Sequence, residues 1–289
     1  LNDPQHPTWK LMRELVVKQK PDFIGISALT TKFGSVIQTA RFCREVLPGV
    51  PIIVGGAHAS TMPALTAAIP EVDYVLRGES DEALPELLNA IQNRLDLSKI
   101  GSLTWKKNGQ IVHNPDRPFT QDLDSLALPD RGSLLHPEHY SSEDMGVTLT
   151  SRGCPFRCSF CYNSAGHLIA QGKGKYLRRR SVENVIEELA EYKRKKPDTA
   201  TVMFYDDVFT FDRKWIRSFA EQYKREIDIP FWVYAYPDMC DPEILKPLHE
   251  IGLMHLNIGI QSGSERTLRE IYGRKISPRK VLEAAQVLK

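Results

Sequence analysis

The chain is short of cysteine, of net charge and of unbroken apolar sequence, and each shortage excludes a class of protein. Its 289 residues include five cysteines, an odd number, and three of them crowd into 154–161. That usage does not suit a disulfide framework and fits a reducing compartment, so a cytoplasmic location is expected. Basic and acidic residues nearly cancel, 38 against 36, leaving +2. No global basic field argues for nucleic acid. One uncharged stretch runs from Gly49 to Pro70, but Pro51, Gly55-Gly56 and Pro63 interrupt it. It divides into strand, turn and helix, and no membrane span is expected. The chain opens at Leu1 and closes within the helical pattern KVLEAAQVLK, so it is read as a piece of a longer protein. At 42% hydrophobic and 26% charged residues, the composition is that of an ordinary globular protein with about two domains.

The chemistry concentrates in one run, TLTSRGCPFRCSFCYNSAG, where Cys154, Cys158 and Cys161 follow the β-branched stretch 147–150. Three thiolates so spaced can hold three irons of a cubane cluster and leave the fourth iron open for chemistry. Two other readings stay open. A closed zinc site would recruit His167 as fourth ligand, and a ferredoxin-type cluster would recruit Cys240. The run resembles the cluster loop of the radical S-adenosylmethionine (SAM) enzymes, which has this spacing and follows the first strand of a barrel. The family's aromatic residue before the third cysteine is present as Phe160. The resemblance implies a 4Fe-4S cluster on Cys154, Cys158 and Cys161, with SAM at the open iron.

Ahead of that loop, short apolar runs at 22–27, 51–56 and 73–79 alternate with amphipathic segments. This is the pattern of βαβ units and a parallel sheet, whose ligands bind beyond the carboxyl ends of the strands. Ser27-Ala28-Leu29, Gly55-Gly56 and His58 stand at those ends. The set resembles the cobalamin-binding domain, with its S-x-L at Ser27 to Leu29 and its glycine pair at Gly55-Gly56. The resemblance assigns Ser27, Leu29, Gly55, Gly56 and His58 to the nucleotide tail of cobalamin. The family's D-x-H-x-x-G motif is not in this chain. A glycine pair that only turns strand into helix, with Ser27 as a cap, is the simpler alternative. Cys43 reads as core.

Residues 101–145 contain a hairpin pattern around Asn108-Gly109 and then proline-punctuated sequence, which reads as a linker. From Val147 strands alternate with helices again, at 147–150, 201–205, 231–235 and 255–259, with Ser181, Asp212 and Asp241 as N-caps. Four βα units are fewer than the family's complete barrel, so an open sheet edge is expected. In βα barrels chemistry sits at the carboxyl ends of the strands. Asp206 and Asp207 stand there without a local structural duty, since Asp212 caps the next helix. The family binds the SAM ammonium at this place with a glycine-rich acidic segment. This chain lacks those glycines, so Asp206 and Asp207 take the role by position. Gly259 to Ser264 resembles the family's ribose-contact segment, with Gln261 in place of a glutamate and Ser262 after it. A Gln-Ser-Gly-Ser form also occurs in methylthiotransferases. The basic run 172–180 reads as a solvated loop ahead of Ser181, or as a face for a cofactor anion.

The expected fold is α/β: a partial Rossmann-like sheet of the cobalamin-binding type (1–100), a hairpin and linker (101–145), then a partial radical SAM βα barrel (146–289). The resemblance implies reductive cleavage of SAM to a 5′-deoxyadenosyl radical, with cobalamin serving methyl transfer or another C–H functionalisation. It also implies an electron donor of flavodoxin or ferredoxin type. A methylthiotransferase-like enzyme without cobalamin, and a non-catalytic metal- or cobalamin-binding module, are the alternatives.

Overall fold

The structure, a computed structural model, describes residues 7–133 and 145–287. Residues 134–144 of the expected linker lie outside that range. The described residues form two compact units, one up to Thr120 with Leu168–Gly174, the other Gln121–His167 with the residues from Lys175 onward.

In the first unit, α1 (Pro7–Gln19), β1 (Ile24–Ser27), α2 (Phe33–Val46), β2 (Ile52–Gly55), α3 (Ala57–Thr61), α4 (Pro63–Ala67), β3 (Tyr74–Leu76) and α5 (Ala83–Gln92) follow in order. The hairpin β4 (Leu103–Lys107) and β5 (Gln110–His113) comes next. β1, β2 and β3 pair in parallel, and β4 joins β3 antiparallel. The expected hairpin therefore continues the first sheet. Asn108 and Gly109, at φ 50° and 78°, make its turn. Two consecutive positive φ values match the twist of the flanking strands. β2 is apolar throughout because it is covered on both sides. α2 buries Val36, Ala40 and Cys43, one stripe at helical spacing.

The second unit contains β6 (Met145–Thr148), the short ribbon strands β7 (Ser151–Arg152) and β8 (Arg178–Arg179), and α6 (Tyr162–Ile169), which begins in it. Then come α7 (Val182–Lys195), β9 (Thr201–Phe204), α8 (Arg213–Glu226), β10 (Phe231–Ala235), α9 (Pro242–Glu250), β11 (Leu253–Ile258) and α10 (Pro278–Val287). The sheet order is β11-β10-β9-β6, all parallel. Each strand lies beside its predecessor, the singly wound order of a βα barrel rather than of a doubly wound sheet. Among the described residues β11 pairs on one side only.

Side-chain oxygens of Ser181, Asp212 and Asp241 accept from the first-turn amides of α7, α8 and α9, as their positions led one to expect. α8 buries Ile216, Phe219, Ala220 and Tyr223 against the sheet. Phe204 of β9 sits among Phe209, Phe219 and Phe231, at ring distances of 5.0, 5.5 and 5.6 Å.

The basic run is solvated only in part: Lys175 is exposed, and the arginines that follow it are not. Lys173 pairs with Asp116 at 2.6 Å. Arg179 lies over the rings of Phe211 and Trp215, at 3.9 and 4.3 Å. Arg180 pairs with Glu188, a buried carboxylate that also takes Arg131 and the Thr148 hydroxyl. Lys173 and Arg180 are thus spent on ion pairs and Arg179 on ring faces, with its Nε and Nη1 buried without a hydrogen-bond partner. No described helix is long and apolar enough to cross a membrane.

Candidate functional site

The first strand of the second unit ends two residues earlier than the β-branched run suggests, at Thr148, and the reason shapes the site. Thr150 turns its amide away from the sheet and onto the Asp206 carboxylate at 3.0 Å. Its hydroxyl donates to the same group at 2.7 Å, and the Ser151 hydroxyl adds a further bond. Asp206 is 1% exposed. The expectation of a carboxylate without structural duty therefore fails for Asp206: it latches the end of β6 to the end of β9 and fixes where the cysteine loop departs. Asp207, the next residue, lines the cavity instead.

That cavity, about 420 Å³, lies at the carboxyl ends of β9, β10 and β11 and is lined by the loop that follows β6 and β7. Cys154, Cys158, Cys161 and Phe160 line it from the loop. Asp207 comes from the end of β9, Tyr236 from the end of β10, and Gly259 and Gln261 from the end of β11. Ser262 is not part of the wall, since its hydroxyl accepts from the Ser264 amide and shapes the following turn.

Two glycines let the loop pack. Gly153 has φ 86°, and a Cβ there would collide with the Tyr176 carbonyl; a Cβ on Gly166 would collide with the Tyr176 hydroxyl. That hydroxyl donates to Asn163 Oδ1 at 2.6 Å, and Asn163 Nδ2 reaches the Cys161 sulfur at 3.7 Å. Phe156 stacks on Tyr236 with ring centroids 3.6 Å apart. Phe160 meets Tyr272 edge-on at 5.1 Å.

Three cysteines on one short loop, all lining one cavity, are the donor set of a cubane with an open iron. Among the described residues no three His, Cys, Asp or Glu side chains converge as ligands of a single metal ion. Cubane thiolates each bind a different iron, so they stand farther apart than ligands of one zinc. His167, the candidate fourth zinc ligand, bonds through Nε2 to the Cys154 carbonyl at 2.9 Å. Cys240 is buried in the sheet–helix core, with its thiol toward the Tyr236 carbonyl. Neither supplies a fourth ligand.

Burial pushes the Cys154 thiol up to about 12. Burial also raises Cys158, against the pull of the Arg274 cation. These thiols stay protonated at neutral pH until a metal displaces the proton. Asp207 is raised by desolvation, opposed by hydrogen bonding to Asn163.

At the strand ends of the first unit, Ser27 and Leu29 are exposed. Gly55 has room, since a Cβ there would meet only the Leu76 carbonyl at 3.9 Å. Gly56 does not: at φ 92°, its Cβ would lie 3.0 Å from the Ala28 backbone and the Ser27 hydroxyl. The packing of β2 against the β1 end requires that glycine, whatever binds there. His58 is 3% exposed and internal, correcting its assignment to an open crevice. Its Nδ1 bonds Thr30 Oγ1 at 3.0 Å, its ring lies 3.8 Å from that of Phe33, and its Nε2 is buried without a partner. Desolvation lowers its pKa, keeping the ring neutral.

Three residues of the cavity wall carried no signal as separate residues in the sequence: Asn163, Tyr236 and Arg274. Asn163, two residues past the third cysteine, was the most accessible to a search of the loop's flanks.

A cysteine loop at the mouth of a singly wound βα sheet, preceded by a separate parallel-sheet unit, defines a class, and comparison with known proteins agrees. The family model for the radical SAM superfamily matches residues 148–289, and that for the B12 binding domain matches residues 3–88. The chain belongs to the radical SAM superfamily, in the group that carries a B12 binding domain ahead of the cluster loop. It is 32% identical to an uncharacterized methyltransferase of Pyrococcus horikoshii, over 98% of this chain and 60% of that protein. It is 28% identical to the anaerobic magnesium-protoporphyrin IX monomethyl ester cyclase of Rubrivivax gelatinosus, over 89% of this chain and 47% of that protein. The chain thus spans about half the length of such relatives. The fold is similar to that of the radical SAM methyltransferase TsrM of Kitasatospora setae, solved with cobalamin and a 4Fe-4S cluster bound. The TM-score is 0.77 at 19% identity, covering 98% of this chain and 59% of that one.

Proposed function

We propose that this chain is the cofactor-binding part of a cobalamin-dependent radical SAM enzyme. The carrying observation is that Cys154, Cys158 and Cys161 line one cavity together with Asp207 and Gln261, which stand at the ends of parallel strands. When bound on these cysteines, a 4Fe-4S cluster would supply the electron for reductive cleavage of SAM, and cobalamin would supply methyl-transfer chemistry. The protein's share is binding, orientation and exclusion of water.

Cys154, Cys158 and Cys161 hold the cluster. Asn163 and Tyr176 keep the Cys161 side of the loop in place. Asp207 accepts from the SAM ammonium, and a cation there offsets the desolvation that raises its pKa. The Gln261 amide bonds a ribose hydroxyl without charge. Phe160 packs against the ligand from the loop side. In the first unit, Ser27, Leu29 and Gly55 form the strand-end edge for the cobalamin tail, and Gly56 and His58 support it from within. The electron comes from a flavodoxin- or ferredoxin-type donor.

The test is anaerobic incubation of the reconstituted chain with SAM and a strong reductant. The reading expects 5′-deoxyadenosine, and none from Cys158→Ala. Binding of iron and cobalamin with no cleavage of SAM by the full-length protein would instead favour a binding module.

A further inference from the structure

Arg274 is 4% exposed, yet it lines the cysteine cavity. A guanidinium cannot shed its charge in a protein, and burying a charge without a counter-charge is strongly unfavourable. Its side-chain partner is neutral: Nε donates to the Tyr236 hydroxyl at 3.3 Å, and the guanidinium lies 4.4 Å from the same ring's centroid. Among the described residues no carboxylate forms an ion pair with it; Asp207, on the same cavity, is hydrogen-bonded to Asn163 instead.

The turn that carries Arg274 is hydrogen-bonded to the cysteine loop just after Cys158 and packs close to it just before. The Ser159 amide donates to the Tyr272 carbonyl at 3.0 Å, and its hydroxyl to the Ile271 carbonyl at 2.5 Å. Gly273, at φ 61°, packs so that a Cβ would lie 3.4 Å from the Arg157 carbonyl. The loop and the cation are therefore held as one piece.

We propose that Arg274 is the counter-charge of the cysteine-held cluster, and that it raises the cluster's reduction potential by stabilising the reduced state. The proposal rests on the cluster reading above. A cubane core on three thiolates carries net negative charge. Reduction adds one electron from an external low-potential donor, breaks no bond, and takes up no proton at the already protonated guanidinium. A fixed cation in a desolvated site favours the more negative state. A ligand carboxylate is the rival anion, and the experiment separates the two.

Parent, R274K and R274Q are reconstituted anaerobically with iron and sulfide and titrated with dithionite, without SAM, by low-temperature EPR. SAM affinity is measured separately on the oxidised proteins. R274Q should keep its iron and sulfide. Its reduced-to-oxidised ratio at fixed poise should fall about tenfold, a shift of about 59 mV to more negative potential for one electron. R274K keeps the charge and should shift less than R274Q. An R274Q that titrates like the parent but loses SAM affinity overturns the proposal in favour of a ligand carboxylate. An R274Q unchanged in both overturns it outright. If R274Q fails to load, R274M takes its place, with the same shift expected and a parental potential counting against. A parent that holds no iron removes the cluster reading itself, and this inference with it.

Discussion

Asp206 and Asp207 are adjacent acids at one strand end, and their substitution should give opposite results. Asp206→Ala removes the acceptor of three buried donors: the Thr150 amide, the Thr150 hydroxyl and the Ser151 hydroxyl. Thr150 is 0% and Ser151 5% exposed, so water reaches neither readily. A buried donor left unsatisfied costs ~1–3 kcal/mol, and hydroxyls can partly reorient, so the loss should be about 3–5 kcal/mol. Against a total stability of ~5–15 kcal/mol that is a large fraction. With a urea slope of ~3 kcal/mol/M the midpoint should fall by about 1–2 M. Asp207→Ala should leave the midpoint within ~0.3 M, because it removes an acid that burial already disfavours. The pH dependence follows with sign. The raised folded pKa of Asp207 means its protonated form is preferred on folding. That contribution is present below the ordinary carboxylate range and is lost as pH rises through the raised value. Above it, Asp207→Asn should be at least as stable as the parent, while SAM binding weakens. An Asp206→Ala protein with the parental midpoint, or an Asp207→Ala protein with parental SAM affinity, would refute the division of roles.

Gly166→Ala drives a methyl group into the Tyr176 hydroxyl and should destabilise by about 1 kcal/mol despite alanine's better helix propensity. Adding Tyr176→Phe should recover part of that in thermal unfolding; no recovery would mean that the clash is relieved elsewhere. Gly55→Val, where a Cβ makes only an ordinary contact with the Leu76 carbonyl, should leave the circular dichroism melt intact while cutting retention of hydroxocobalamin, read by visible absorbance. Gly56→Val should lower the melt itself, so its loss of cobalamin would carry no separate meaning; parental retention by Gly55→Val would remove that edge from the site. Glu188→Ala leaves Arg131 and Arg180 without their buried partner and should cost about 3–5 kcal/mol in urea unfolding, whereas a parental midpoint would show the network to be dispensable.

The parts of this protein legible in its sequence are the local ones. Ser181, Asp212 and Asp241 act on amides two or three residues away, and Asn108-Gly109 carries its turn within itself. Cys154, Cys158 and Cys161 share one loop, so their spacing implied their meeting. Alternating strands and helices revealed both sheets, because burial imposes its period on each segment. The duties hidden from the sequence depend on distant partners. Asp206 looked free because Thr150 and Ser151 are more than fifty positions away. His58 looked like an edge residue because Thr30 and Phe33, which enclose it, belong to another strand end. Arg178, Arg179 and Arg180 read as a surface run, yet Arg178 is buried, aromatic rings lie against Arg179, and a buried glutamate takes Arg180. Arg274 gave no signal alone: a buried cation has the same letter as an exposed one.

The central claim is that three cysteines and an open iron form one SAM-binding centre. Anaerobic reconstitution followed by iron and sulfide analysis, with low-temperature EPR before and after SAM, tests it most directly. The account expects about four irons per chain and a reduced-cluster signal that changes shape when SAM is added. About one zinc with no iron, or a cluster whose signal ignores SAM, would contradict it.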